Sequence, residues 1–278
     1  KRNKITSMET ALEYFTIFGG LDVDIDTTIP VDKLIEIHIL KRYKYLRNFI
    51  ADITKGDPEL HKILTALAIG DRRTNSAFRK VGISFDNGIE MVDELCDFKV
   101  LKLEKSLQKL SKLSDQYTVS ERLLFTSPVV RFWFAFISPL FKGIKEKNYE
   151  EFYKKYNNNK AEFSDVIFEQ LSHEYLRMIS KEDFIFTLGR YWDDDLTLDL
   201  LGKTKSGKII AGSCKYTNSK IKKTELTNLK EKCEKVKIDV DTFILFSKKG
   251  YTSELKTLKK TENLQLITVK NFSLLIEE

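Results

Sequence analysis

The chain is poor in the residues that build covalent or metal-stapled frameworks, with 3 Cys and 3 His in 278 residues. Cys96, Cys214 and Cys233 are scattered and form no CxxC pair, which excludes a disulfide-built scaffold. His38, His61 and His173 are too few for a His/Cys zinc centre. With only 4 Pro and 12 Gly, collagen-like and mucin-like classes are excluded too. No apolar run reaches the roughly 18 residues of a membrane span. The longest candidate, 129–140, is interrupted by Arg131, Ser138 and Pro139. The first residues are polar and lack the basic flank, apolar stretch and small-residue cleavage site of a signal peptide. Residues 1–7 read as flank, with Met8 as the candidate start, and a soluble, cytoplasmic protein without a membrane partner is expected.

Hydrophobic residues make up 42% and charged residues 32%, enough for one large or two ordinary cores. The net charge of +6 is unevenly placed. Residues 202–249 hold thirteen Lys against five acids, a local +8, so the remainder is slightly acidic. A solvated surface and a polyanion-binding surface both fit such a run.

Four regions are predicted: N-terminal helices (1–56), a winged-helix-like domain (57–126), an aromatic helix and linker (127–160) and an α/β domain (161–278). Helical spacing runs from Met8 to Phe18 and again over 32–53, where Leu34, Ile37, Leu40, Tyr45 and Phe49 form the apolar set. The stretch 57–125 has the rhythm of a winged helix-turn-helix, with helices over 58–69 and 74–81, a turn at Gly82, and a third helix capped by Ser84. Strands at 100–103 and 122–125 complete the wing, with the Lys-rich stretch 105–114 as its loop. The third helix turns Asp86, Glu90, Asp93, Glu94 and Asp97 outward, which opposes docking on phosphates. Its acidic face suits a protein partner better. The aromatic stretch 130–141 is dense enough to stack bases, but reads first as a buried packing helix.

From residue 162 the pattern becomes α/β: a helix (163–179), three strands (184–188, 196–201, 208–216), a helix (222–236), a strand (242–246), a helix (253–260) and a last strand (264–269). This order predicts a mixed sheet flanked by helices. Two charges stand inside its apolar strands, Asp199 in 196–201 and Lys215 in 208–216. Burying either alone is costly, so a partner, a metal or a function is implied. Carboxylates that hold Mg²⁺, with a Lys to stabilise developing charge, are the set that metal-dependent phosphodiester cleavage needs. The run Gly202 to Lys208 satisfies GxxxxGK, yet Ile209 stands where a P-loop needs Ser or Thr, and strands lie on both sides. It reads as a lysine-bearing hairpin turn. Cys214 has no His placed to activate it and reads as a buried thiol.

Phe168-Glu169, Gly189-Arg190-Tyr191-Trp192, Leu198-Asp199 and Gly212-Ser213-Cys214-Lys215-Tyr216 together resemble the C-terminal domain of archaeal-type ATPases, domain of unknown function 234. Arg131-Phe132-Trp133-Phe134 and the run from Leu245 to Tyr251 fit as well, and the resemblance covers roughly residues 57–270. It implies a fold of the PD-(D/E)XK nuclease superfamily, with Glu169, Asp199 and Lys215 at its catalytic positions. The family's ATPase module has no counterpart here, so a separately encoded ATPase is an expected partner. The chain departs from the family's Gly-Glu-Cys-Lys at Ser213, where a metal-binding acid is missing. Glu225 lies beside the buried stripe of the following helix and is the candidate replacement, making Asp199 and Glu225 the expected ligands of Mg²⁺ or Mn²⁺. Asp193, Asp194 and Asp195 read as a solvated turn. Lys203, Lys205, Lys208, Lys220, Lys222 and Lys223 are the expected nucleic-acid contacts. A weak metal-dependent deoxyribonuclease, an inactive DNA-binding protein and an adaptor for an ATPase all remain open at this point.

Overall fold

The computed structural model describes residues 5–70, 72–113, 119–259 and 261–276. Most of the predicted flank, Ser114 at the end of the expected wing loop, and Lys260 at the end of a predicted helix lie outside them. The chain forms two compact units, one of Lys1–Glu104 with Ser120–Phe163, the other of Lys105–Val119 with Ser164–Glu278. Among the described residues no helix is long and apolar enough to cross a membrane.

The first unit is helical. Ser7 caps α1 (Met8–Phe18) by accepting the Thr10 N–H. The predicted helix over 32–53 forms in pieces: α2 (Val31–Ile35), a π-helical turn (Glu36–Leu40) and α3 (Tyr43–Thr54). The wide turn and the break at 41–42 reset the inward face. Leu46 and Ile50 are therefore buried while Ile37, Tyr45 and Phe49 turn outward, contrary to the sequence reading. Asp57 accepts the N–H groups of Glu59 and Leu60 to start α4 (Pro58–Ala68). After α5 (Thr74–Val81), Gly82 takes the left-handed conformation (φ 84°) that ends the helix, and Ser84 caps α6 (Phe85–Asp97). Strands β1 (Leu101–Glu104) and β2 (Arg122–Phe125) pair antiparallel. All five acids of α6 are exposed, as expected. The aromatic stretch forms α7 (Pro128–Phe132), a π-helical turn (Trp133–Ile137), a 3-10 turn (Ser138–Leu140) and α8 (Phe141–Lys145). Phe132, Trp133, Phe134 and Phe136 are buried in the core of this unit.

Two segments differ from the sequence reading. Of the expected wing loop 105–114, the described residues 105–113 belong to the second unit. There the Leu107 N–H donates to the Arg190 carbonyl, the Ser106 hydroxyl donates to the Trp192 carbonyl, and Ser111 donates to the Val236 carbonyl. The polar run 150–160 is helical: it opens the 30-residue α9 (Glu150–Ile179), because Phe152, Tyr156 and Phe163 fall on one buried face despite the three asparagines between them.

The second unit is α/β, as the alternating pattern predicts. Strands β3 (Ile185–Trp192), β4 (Thr197–Thr204), β5 (Ile209–Lys215), β6 (Thr242–Ser247) and β7 (Leu264–Thr268) lie in that order. The β3–β4–β5 pairs are antiparallel and the β5–β6–β7 pairs parallel. One face of the sheet carries α10 (Lys223–Lys235), whose Leu226, Leu229 and Cys233 join Leu198, Ala211 and Leu245. Phe168 and Tyr175 of α9 meet Tyr216, Phe246 and Phe272 instead. A short α11 (Ser253–Leu258) precedes β7. At Gly212 a side chain is excluded, because a Cβ there would stand 2.7 Å from the Ile244 carbonyl oxygen. That close approach lets β6 lie flush against β5 beside Ser213.

Candidate functional site

Polar side chains gather where β5 ends. Successive strand residues face opposite sides, so Ser213 and Lys215 share one face. Asp199, on the neighbouring β4, accepts the Cys214 backbone N–H at 2.9 Å and the Ser213 hydroxyl at 3.2 Å. From the first turn of α10, the Glu225 carboxylate reaches Ser213 Oγ at 2.6 Å. Lys215 Nζ stands 3.4 Å from Glu225 and 3.9 Å from Asp199. Burial works against the Lys215 charge, yet Asp199 and Glu225 outweigh it and hold its pKa above the ordinary value. His173 fixes the Asp199 backbone through a 2.9 Å hydrogen bond between Nε2 and the carbonyl oxygen. The four side chains line a cleft of about 130 Å³ shared with Asn228 and Lys232.

Three of the predicted residues, Asp199, Lys215 and Glu225, are thus brought together. Glu169 is held in an ion pair with the buried Arg190, at 2.8 Å from Nε and 2.6 Å from Nη2, and its charge reaches Asp165 and Cys214. It does not line the cleft. Asp165, one helical turn before Glu169, accepts the Tyr216 backbone N–H and interacts with Lys215 and Asp199. Burial first, and the Glu169 charge second, push its pKa up to about 6. Sequence reasoning missed Asp165, Asn228 and Lys232. For the last two a signal existed, since residues 225, 228 and 232 repeat on one helical face.

The expected lysines divide into two groups. Lys220, Lys222 and Lys223 are exposed on the loop and first turn after β5, near the cleft. Lys203, Lys205 and Lys208 flank the β4–β5 hairpin turn at the far end of β5, about 20 Å away at 3.3 Å per residue. That turn closes with Gly207 in the left-handed region (φ 91°), as the hairpin reading of GxxxxGK requires. Cys214 is buried, and burial pushes its thiol pKa well up, as its inert reading requires. Asp193 is buried rather than solvated: it accepts the Tyr191 hydroxyl and the N–H groups of Asp195 and Leu196, organising the β3–β4 turn.

All the cleft's candidate ligands are oxygens, the donor type of hard divalent cations. Among the described residues no group of three His, Cys, Asp or Glu side chains converges to hold a metal. Asp199 and Glu225 offer two carboxylates and Ser213 a hydroxyl, oxygen donors of the kind a hard divalent cation takes.

A family model described as "Archaea bacterial proteins of unknown function" (DUF234) matches residues 133–244. No curated protein sequence matches the chain. Among solved structures, Can2 from Sulfobacillus thermosulfidooxidans in complex with cyclic tetra-adenylate is similar over 84% of this chain, at 13% identity and a TM-score of 0.31. The match takes in 54% of that protein, about half its length.

Proposed function

We propose that the cleft at the end of β5 is a metal-dependent phosphodiesterase site acting on DNA, with Glu225 supplying the second acid that Ser213 does not. The observation that carries this reading is the position of Glu225, 2.6 Å from the Ser213 hydroxyl and 3.4 Å from Lys215. Asp199 and Glu225 hold the cation. Mg²⁺ or Mn²⁺ bound there supplies Lewis-acid polarisation of a phosphate oxygen and an acidified water. Lys215, kept protonated by the two acids, places a positive charge where charge develops on the scissile phosphate. Lys232 adds a second cation at the cleft wall, its ammonium held by the Thr197 carbonyl at 3.1 Å. Lys220, Lys222 and Lys223 contact the flanking backbone.

A second reading, DNA binding without catalysis, is favoured by one feature. Lys215 lies close enough to both acids to offset their charge with no metal present. The winged-helix-like segment, with its exposed acidic α6, is assigned in either reading to a protein partner, such as a separate ATPase, rather than to the DNA groove.

Cleavage of duplex DNA in Mn²⁺ and in Mg²⁺ separates the readings. Wild-type protein is expected to cleave, more strongly in Mn²⁺. Asp199→Ala, Glu225→Gln and Lys215→Ala are each expected to lose about 100-fold or more. Absence of cleavage in wild type, or activity indifferent to all three substitutions, overturns the catalytic reading.

A further inference from the structure

We propose that the first unit carries a separate binding site for a nucleotide-type ligand, a planar ring bearing a phosphate. The site is a cavity of about 270 Å³ beside α3, α4 and the 133–145 segment. One wall is aromatic. The rings of Tyr43 and Trp133 stack with centroids 5.5 Å apart and planes within 15°. Trp133 is buried and backs Tyr43, so the outer face of the half-buried Tyr43 ring is held in place as a surface of the kind on which bases stack.

A second wall is cationic. Arg47 lies one helical turn after Tyr43, close enough for its charge to act on the Tyr43 hydroxyl. Lys145, at the end of α8, faces the same space. Both are exposed, and neither is paired with a carboxylate among the described residues. No acidic side chain lines the cavity. Two unpaired cations beside an aromatic face favour an anion attached to a ring, because guanidinium and ammonium groups form their strongest hydrogen bonds with phosphate or carboxylate oxygens.

The third wall is neutral and polar. His61 Nε2 and Ser138 Oγ are hydrogen-bonded to each other at the cavity edge. Burial lowers the His61 pKa, so at neutral pH the pair contributes hydrogen bonds rather than charge. Such groups suit the polar edge of a base or a sugar hydroxyl. A bare phosphate would use only the cationic wall, and a nucleoside only the aromatic and neutral ones.

Calorimetric titration of the full chain with AMP, adenosine and inorganic phosphate tests this directly. AMP is expected to bind saturably and at least about tenfold more tightly than either fragment. Arg47→Ala and Lys145→Ala remove exposed side chains, and each is expected to weaken AMP about five- to tenfold. Lys102→Ala removes the same charge from exposed β1 and is expected to leave the affinity unchanged. No saturable AMP binding up to about 5 mM, equal binding of inorganic phosphate, or AMP affinity unchanged in both cavity variants overturns the proposal.

Discussion

Ser213 presents one hydroxyl proton to two carboxylate oxygens, Asp199 Oδ2 at 3.2 Å and Glu225 Oε1 at 2.6 Å. A hydroxyl donates only once. The second contact therefore leaves two oxygens facing each other without a proton, an arrangement that the Lys215 ammonium, 3.4 Å from Glu225 and 3.9 Å from Asp199, partly relieves and a bound metal cation would relieve further. In the proposed reading, the acid that Ser213 does not supply arrives from α10 as Glu225. Ser213→Glu alone places a second carboxylate against Glu225, and is expected to lower metal-dependent cleavage. The double variant Ser213→Glu/Glu225→Gln returns the acid to the strand, and is expected to recover activity at least about tenfold over Glu225→Gln alone, some 1.4 kcal/mol of transition-state stabilisation. Cleavage rates of the four proteins check this; a double variant no better than Glu225→Gln contradicts it.

Asp165 gives a pH prediction at the same scale. Its folded pKa, about 6, lies above the ordinary 3.8. Between pH 4 and 6 the folded state thus holds more proton than the unfolded chain, and stability falls as pH rises through that window. Asp165→Asn keeps an acceptor for the Tyr216 N–H and abolishes the titration. Its melting temperature is expected to gain on wild type as pH rises from about 4 to 7. The gain is worth no more than about 1–2 kcal/mol, because the carboxylate is partly solvated. A difference that stays constant with pH contradicts the assignment.

Among the elements, α10 both packs on the sheet and lines the cleft. Leu226, Leu229 and Cys233 anchor it to the sheet, and the neighbouring stripe of Glu225, Asn228 and Lys232 then falls on the cleft. The hairpin turn of β4–β5 does the opposite, carrying Lys203, Lys205 and Lys208 to the distant end of β5. Replacing Lys220, Lys222 and Lys223 together by Gln is expected to weaken DNA binding and reduce the log–log salt slope by about two to three, near 0.9 per lost phosphate contact. The same change at Lys203, Lys205 and Lys208 is expected to do less. The reverse order would place the DNA path on the hairpin. In the proposed reading the acidic face of α6 stays off the DNA: Glu90→Lys with Asp93→Lys is expected to leave DNA affinity equal or higher. A marked loss in a folded double variant would show these acids orienting basic contacts.

For the whole molecule, much of the architecture is legible in sequence because its cause is local. Apolar runs mark the strands, and Ser84, Gly82 and Asp57 mark helix ends through caps. Asp199 and Lys215 stand out as charges inside apolar strands, and Glu225 as an acid beside a buried stripe. What escapes notice is set by distant packing. Asp165 is one acid among several on α9 until the Tyr216 backbone and Lys215 close on it. Residues 105–114 look like a wing loop because local composition is lysine-rich; Leu107 and Leu110 pack on the core of the second unit and draw the described part, 105–113, into it. The continuity of α9 through three asparagines depends on the aromatic core around Phe132 and Phe136.

The central claim is that Asp199 and Glu225 form one cation site at the end of β5. A crystal of the full chain soaked in Mn²⁺ and measured at the manganese absorption edge tests it most directly. The expected result is an anomalous peak bonded to oxygens of both carboxylates, with Lys215 beside it, absent from Asp199→Ala crystals soaked identically. No peak in this cleft, or a peak bonded to neither acid, would contradict it.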